Sequence, residues 1–220
     1  MNIKDKLKQY PFVKKLVLWL LFPKGQARPR WWVKKMVLPF TIEKGKGALI
    51  RKRIRFDVVP FNAFTIGKNS TIEDFCTINN GVGDIYIDEE TRIGIGSVLI
   101  GPITIGKHVR LAQNVVISAL NHNYEDVSKP ISQQGVSTNE VEVGDETWIG
   151  ANVTILPGCN IGKHCVVAAG SIVTKSIPSY SVAAGNPARI IKTYNIITRT
   201  WEKVHAPSNH FLTNNNMINN

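Results

Sequence analysis

The chain has 220 residues, with 27 Lys and Arg against 16 Asp and Glu, which gives a formal net charge of +11. A hydrophobic content of 43% and a charged content of 20% are typical of a globular chain and exclude wholesale disorder. Three cysteines are too few for a disulfide scaffold, and they lack the CxxC spacing of a zinc site. We therefore expect a reduced, intracellular protein of one domain with an appendage.

The positive charge is confined to the first quarter of the chain. Residues 1–60 contain 16 Lys or Arg and 3 Asp or Glu, whereas residues 61–220 contain 11 and 13. The two net charges are therefore +13 and −2. Because the larger part of the chain is close to neutral, we predict no role in nucleic-acid binding.

The N-terminal extension, residues 1–50, is predicted to be helical, basic and rich in Trp. Its apolar run is about eleven residues long, roughly half of what a bilayer requires, and no signal-peptide cleavage site follows it. Trp19, Trp31 and Trp32 lie among lysines and arginines, a composition that suits a segment lying on an anionic membrane. Residues 1–40 are thus predicted either to contact such a membrane or to cap the next domain, and the two roles are compatible.

From residue 66 onward, an aliphatic residue recurs at every sixth position. The fifteen positions are Ile66, Ile72, Ile78, Ile87, Ile93, Leu99, Ile105, Leu111, Ile117, Val143, Ile149, Ile155, Ile161, Val167 and Val173. A period of six fits neither an α-helix nor a simple amphipathic strand. It predicts an all-β fold, a parallel β-helix of about five coils over residues 51–192, in which each coil has three short strands. The hexapeptide period favours the left-handed form, an exception to the usual crossover rule.

The fifth position of each hexad is small or β-branched. All three cysteines, Cys76, Cys159 and Cys165, occupy it. They are therefore predicted to be buried fillers of the core, which argues against a covalent acyl-cysteine intermediate.

Two insertions interrupt the hexads. The first, residues 79–84, is short and rich in Asn and Gly, as turns are. The second, near residues 119–142, is long and polar and is predicted to leave the β-helix as an extruded loop. A loop of this length is more often functional than decorative.

The last segment, residues 193–220, is predicted to form a short C-terminal helix followed by a disordered tail. Tyr194, Ile197, Trp201 and Val204 follow one another at helical spacing. The tail after residue 213 is mostly Asn, with only Met217 and Ile218 to bury in a core.

Several runs of residues resemble the hexapeptide-repeat acetyltransferases. They are the repeated Ile-Gly hexads and the segments Trp148–Val153, Ala168–Lys175 and Ala184–Arg189. The most similar subgroup comprises the galactoside and maltose O-acetyltransferases and the capsule or exopolysaccharide acetyltransferases. The resemblance covers about residues 54–192.

This resemblance implies a cytoplasmic homotrimer that transfers an acetyl group from acetyl-CoA to a saccharide hydroxyl, without a metal. It further implies a role in surface-polysaccharide biosynthesis, at or near the inner face of the membrane. Three alternatives stay open: an amino-sugar N-acetyltransferase, an antibiotic acetyltransferase, and a non-catalytic β-helix scaffold that binds no coenzyme A.

The resemblance also assigns the site residues. His122, in the extruded loop, matches the family's catalytic histidine, and a neutral imidazole is suited to act as a general base. Asn79 and Asn80 are candidates for contact with the acceptor. The expected coenzyme contacts are Trp148, Ala151, Ala169, Thr174, Lys175, Arg189 and Lys192.

Four further polar residues near these sites are predicted to lie at the surface. His108 and His164 occupy the fourth position of their hexads, which points outward. Glu125 and Asp126 could orient His122, but a solvated pair of carboxylates is the simpler expectation.

Overall fold

The computed structural model describes residues 10–204, and its body is a solenoid of short parallel strands. The strands are arranged in three columns, each of which is a sheet along the solenoid. Sheet A consists of β1 (Ile42–Lys44), β4 (Phe64–Ile66), β7 (Ile85–Ile87), β10 (Ile103–Ile105) and β15 (Val141–Val143). Sheet B begins with β2 (Leu49–Ile50), β5 (Thr71–Ile72), β8 (Arg92–Ile93), β11 (Arg110–Leu111), β16 (Trp148–Ile149) and β18 (Val166–Val167). It ends with β20 (Ser181–Ala184), β21 (Arg189–Asn195) and β22 (Thr200–Lys203).

Sheet C is the third column, and each turn of the solenoid contributes one strand to it. It consists of β3 (Arg55–Asp57), β6 (Thr77–Asn79), β9 (Val98–Ile100), β12 (Val116–Ser118), β17 (Thr154–Ile155) and β19 (Ile172–Val173). Because the chain passes once through each sheet per turn, these strands define six turns in the described part of the chain. The predicted β-helix is confirmed, with one turn more than expected.

The hexad residues form the core of the solenoid. Each of the fifteen aliphatic positions is at most 3% exposed. The polar residues at the fifth position are buried as well, and most of their hydroxyls donate to backbone carbonyls of the following turn, whereas Ser171 donates to Ala168 O of its own turn. Thr91 Oγ1, for example, donates to Gly106 O at 2.7 Å, and Thr147 Oγ1 donates to Gly162 O at 2.9 Å.

Crowded corners between strands explain why a Gly or Ala follows the aliphatic residue in many hexads, as Gly94 does. A Cβ on Gly94 would lie 2.4 Å from the carbonyl oxygen of Ala112 in the following turn. The fourth hexad position has a left-handed backbone and points outward, as at His108 (φ 56°) and His164 (φ 53°). Both histidines are exposed, as predicted.

The first turn begins at Ile42, earlier than the predicted boundary at residue 51. Residues Ile42–Lys44 pair in parallel with Phe64–Ile66, so Lys44 takes the place of an aliphatic hexad residue. Residues 58–63 lie between the first and second turns and shift the hexad phase. These two departures from the repeat hid the first turn from the sequence pattern.

The N-terminal extension is helical, as predicted. It contains α1 (Pro11–Leu21), a π-helical segment (Val33–Val37) and a one-turn helix, α2 (Leu38–Thr41). Leu21, Val33 and Leu38 are buried in the same core as the first turns of the solenoid. None of the described helices is both long and apolar enough to cross a membrane.

The predicted C-terminal helix is wrong, because residues 189–203 form a β-hairpin. Strand β21 pairs antiparallel with β20 and β22 pairs with β21, which extends sheet B past the last turn. The open edge of sheet B offers unpaired backbone groups, and the β-branched residues of β21 favour a strand there. Tyr194 and Trp201, expected on one helix face, are directly opposite each other with ring centroids 5.5 Å apart. The predicted tail lies outside the described residues.

Candidate active site

His122 lies on the long loop that leaves the solenoid after β12. The loop begins with β13 (Leu120–His122), which pairs antiparallel with β14 (Val136–Thr138), and it includes a short 3-10 helix (Ile131–Gln133). His122 is exposed, opposite Val136. No described residue hydrogen-bonds to its imidazole or forms an ion pair with it. The ring is therefore open to a substrate.

The neck of this loop is fixed to the solenoid. The N–H of Asn139 donates to Ala119 O at 2.9 Å, and Ala119 is fully buried. In turn, the N–H of Gly158, on the following turn, donates to Asn139 O at 3.1 Å. The loop thus leaves a rigid base at the corner between sheets C and A.

Gln134 holds the outer part of the loop together. Its Nε2 donates to the carbonyls of Asp126 at 2.8 Å and Lys129 at 2.9 Å, while its Oε1 accepts from Asp126 N at 3.0 Å. Asn123 Nδ2 donates to the backbone carbonyl of Gln134 at 3.1 Å. The sequence did not single out Gln134, because its partners are backbone groups that no side-chain pattern reveals.

We expect Gln134→Ala to lower kcat/KM for the acceptor about tenfold, since losing two or three hydrogen bonds of about 1 kcal/mol each lets the loop move. The melting temperature should stay within about 2 °C of the wild type, because the loop lies outside the core. Gln133→Ala is the matched control, since Gln133 is exposed and its side chain makes no hydrogen bond in the described part. Equal kinetics for the two variants would contradict this role for Gln134.

Glu125 and Asp126 do not orient His122. The Asp126 carboxylate pairs with Lys129 at 2.7 Å and accepts from Ser128, and these contacts lower its pKa. Glu125 Oε2 accepts from Tyr124 N at 2.9 Å. The solvated carboxylate pair that the sequence suggested is therefore what the structure shows.

Asn80 cannot bind an acceptor, and that expectation is corrected. Its side chain is fully buried. Oδ1 accepts from Val59 N at 2.7 Å, and Nδ2 donates to Asn62 O at 2.8 Å and Val59 O at 3.2 Å. Asn80 is thus committed to holding the backbone that joins the first two turns. Asn79 is partly exposed, and its Oδ1 accepts from Gly81 N at 2.8 Å.

The residues expected to contact coenzyme fall into two groups. Trp148, Ala151, Ala169, Arg189 and Lys192 lie on sheet B or at the corner between sheets B and C. The strand pairings align Trp148 with Val166, Val182 and Lys192 in one row across sheet B. Thr174 and Lys175 lie instead at the corner between sheets C and A, the corner from which the His122 loop leaves.

The first group forms a surface with free backbone groups. Gly170 N donates to Ala151 O at 2.8 Å, which places Ala151 and Ala169 at the same corner of neighbouring turns. Neither the Ala151 N–H nor the Ala169 N–H is hydrogen-bonded within the described part of the chain. Trp148 is 55% exposed beside them. The corner is therefore suited to an extended ligand that carries amides, as the pantetheine arm of coenzyme A does.

Comparison with known proteins identifies the class to which the hexapeptide solenoid and its extruded histidine loop belong. A bacterial transferase hexapeptide model matches residues 140–175, and a model of the hexapeptide repeat of succinyl-transferase matches residues 85–119. The Escherichia coli protein WbbJ, named as a candidate lipopolysaccharide biosynthesis O-acetyl transferase, is 36% identical over 149 residues, which cover 64% of this chain and 74% of WbbJ. The chain belongs to the hexapeptide-repeat acetyltransferases and is by that membership an acyltransferase.

A further relative supports the same family, and a solved structure has the same fold. Galactoside O-acetyltransferase of Escherichia coli is 34% identical over 134 residues, which cover 60% of this chain and 64% of that enzyme. The solved structure of AntD, an N-acyltransferase from Bacillus cereus bound to coenzyme A, has the same fold, with a TM-score of 0.62 and 24% identity over 73% of this chain and 88% of AntD. The chain spans between 56% and 74% of the length of the first curated relatives that it matches.

Proposed function

We propose that this protein transfers the acetyl group of acetyl-CoA to a hydroxyl of a saccharide, with His122 as the general base. The observation that carries the proposal is the exposed His122 on an anchored loop, its imidazole unengaged by any described residue. The sugar O-acetyltransferase named among the relatives supports the acceptor class. The name of WbbJ supports a role in surface-polysaccharide biosynthesis.

The reaction is a direct transfer. The neutral His122 imidazole accepts the proton of the acceptor hydroxyl as its oxygen attacks the thioester carbonyl. The resulting tetrahedral oxyanion collapses, the C–S bond breaks, and the departing thiolate takes the proton from the imidazolium. Backbone N–H groups of the kind left free at Ala151 and Ala169 can bind the amide oxygens of the pantetheine arm and so position the thioester.

The cysteines argue against a covalent alternative. Cys76, Cys159 and Cys165 are each at most 4% exposed, and burial raises the pKa of all three thiols. A buried, protonated thiol is a poor nucleophile for a thioester. We therefore propose that the acyl group passes from coenzyme to acceptor without an acyl-cysteine intermediate.

A trimer explains the distribution of the site residues. The His122 loop leaves at the corner between sheets C and A, whereas Ala151 and Ala169 lie at the corner between sheets B and C. In a trimer with the solenoids side by side, the first corner of one subunit would face the second corner of the next. We therefore propose that each site combines His122 of one subunit with the coenzyme surface of another, in a cytoplasmic homotrimer.

The cations near the last turn are proposed to bind the coenzyme phosphates. Lys175 and Arg189 are both exposed, and neither forms an ion pair within the described residues. We expect Lys175→Ala and Arg189→Ala each to raise the KM for acetyl-CoA about tenfold with little change in kcat, since charge-assisted hydrogen bonds to phosphate are worth about 1.5 kcal/mol. Lys68→Ala, an exposed lysine on the second turn, is the control. An unchanged KM in both variants would remove these residues from the coenzyme site.

A further inference from the structure

The N-terminal extension exposes more apolar surface than an end cap needs. The cap is made by Leu21, Val33 and Leu38, which are buried against the first turns. On another face of α1, Phe12 is 79%, Leu16 46% and Trp19 64% exposed. Their spacing of four and three residues places them in one stripe of the helix.

The second segment of the extension, residues 31–41, is helical and also exposes large apolar residues. Trp31 is 72%, Met36 65% and Phe40 87% exposed. Large apolar residues exposed in this number mark an interaction site. Between the two segments lies a groove of about 670 Å³, whose lining includes Trp19, Trp31 and Trp32.

The charge of the same segment is of one sign. Residues 10–41 contain no Asp or Glu and seven basic residues, Lys14, Lys15, Lys24, Arg28, Arg30, Lys34 and Lys35. Arg28 and Arg30 line the groove beside the tryptophans. Burial chiefly, and the neighbouring Arg28 in addition, lower the pKa of Lys34.

The surface is held in place by specific contacts. An Arg30 Nη donates to Trp19 O at 3.3 Å, which ties the end of α1 to the second segment. Arg28 pairs at 3.7 Å with Asp57, which is 1% exposed on the first turn and whose Oδ1 lacks a hydrogen-bond donor in the described part. Lys35 Nζ lies 6.0 Å from the centroid of the Trp31 ring.

We propose that residues 12–40 dock on an anionic phospholipid bilayer, with Trp19 and Trp31 at headgroup depth and Arg28 and Arg30 at the lipid phosphates. Aromatic residues interleaved with cations are suited to this interface. Charge selects this occupant over a second copy of the chain, because a self-contact would bring like charges together. At eleven residues, α1 is about 16 Å long, so it lies in the interface rather than spanning the bilayer.

The docking surface lies at the first turn, whereas Arg189 and Lys192 lie beyond the last. A bilayer at the first turn therefore leaves the coenzyme end in water. In the trimer proposed above, cyclic symmetry places three such surfaces at one height along the axis. One membrane plane can then bind all three surfaces at once, so the trimer binds the membrane more tightly than a single chain does. Docking of a single chain does not depend on that trimer or on the acetyl transfer.

The test is co-sedimentation of the full chain with vesicles of phosphatidylcholine alone or mixed equally with phosphatidylglycerol. We expect binding to the anionic vesicles only, and weaker binding as salt rises. The double variant Lys24→Glu/Lys35→Glu should weaken binding at least 25-fold, since each cation contributes about fivefold. Trp19→Ala/Trp31→Ala should weaken it at least tenfold through lost apolar contact.

Matched controls alter the solenoid instead. Phe75→Ala removes an aromatic residue that is 59% exposed, and Lys68→Glu/Arg199→Glu reverses two exposed charges. Both should bind as the wild type does, and circular dichroism confirms that every variant is folded. Equal binding to neutral vesicles, or extension variants that bind like their controls, would overturn the proposal. So would a change in oligomeric mass in the Trp variant, because the surface would then be a subunit interface.

Discussion

Replacing His122 with Asn is expected to lower kcat by about two to four orders of magnitude, the typical contribution of a general base. An amide side chain fills similar space but does not accept a proton at neutral pH. The KM for acetyl-CoA should change little, because the coenzyme surface is built from other residues. Steady-state release of coenzyme A in the presence of a saccharide acceptor measures both constants.

His108→Asn is the matched control for this experiment. His108 is also exposed, but it lies at an outward corner of the solenoid with φ 56°, a conformation that Asn tolerates. Its kcat should equal that of the wild type. A His122→Asn enzyme with full turnover would exclude His122 as the base, and equal losses in both variants would indicate a general effect on the fold.

Replacing Asn80 with Ala is expected to lower the free energy of unfolding by about 3 kcal/mol. The change leaves the buried Val59 N–H without an acceptor and the Asn62 carbonyl without a donor, and each unsatisfied group costs about 1–3 kcal/mol. For a chain of this size the melting temperature should fall by roughly 6–12 °C. Thermal unfolding followed by circular dichroism measures the shift.

Asn79→Ala provides the contrast, because Asn79 is partly exposed and makes one local bond, to Gly81 N. Its melting temperature should fall by less than about 3 °C, in line with one net hydrogen bond. If the two variants proved equally stable, the buried network around Asn80 would not be contributing. The proposed acceptor contact of Asn79 would appear separately, as a raised KM for the saccharide.

The solenoid was predictable because its signal is local and repeated. Each of the fifteen hexads places an aliphatic residue inside, and many add a small residue at the corner and a compact residue at the fifth position, so hexads in phase predict one fold. The first turn was not predicted from the sequence, because Lys44 occupies an aliphatic hexad position and residues 58–63 shift the hexad phase. A single turn out of phase has no repeat to support it.

The wrong and missed predictions share a cause. In each case contacts with backbone groups decide the local structure, and the sequence pattern does not show those contacts. Residues 189–195 form a strand because the edge of β20 is available to them, and helical spacing in sequence carries no information about that edge. Asn80 is structural because its partners lie 17 to 21 residues earlier in the chain. Gln134 binds carbonyls of its own loop, which depend on the loop's conformation. His122 could be proposed from the sequence because its place in the extruded loop matches the catalytic histidine of the family that the chain resembles.

The most direct test of the central claim is to incubate the protein with radiolabelled acetyl-CoA and a panel of acceptors, then treat the products with mild base. The panel comprises free sugars, nucleotide sugars and lipid-linked oligosaccharides, including amino sugars. We predict that label enters a saccharide and is released by mild base, because an ester hydrolyses under conditions in which an amide survives. Label that resists base would show N-acetylation, and no transfer to any saccharide would contradict the assignment.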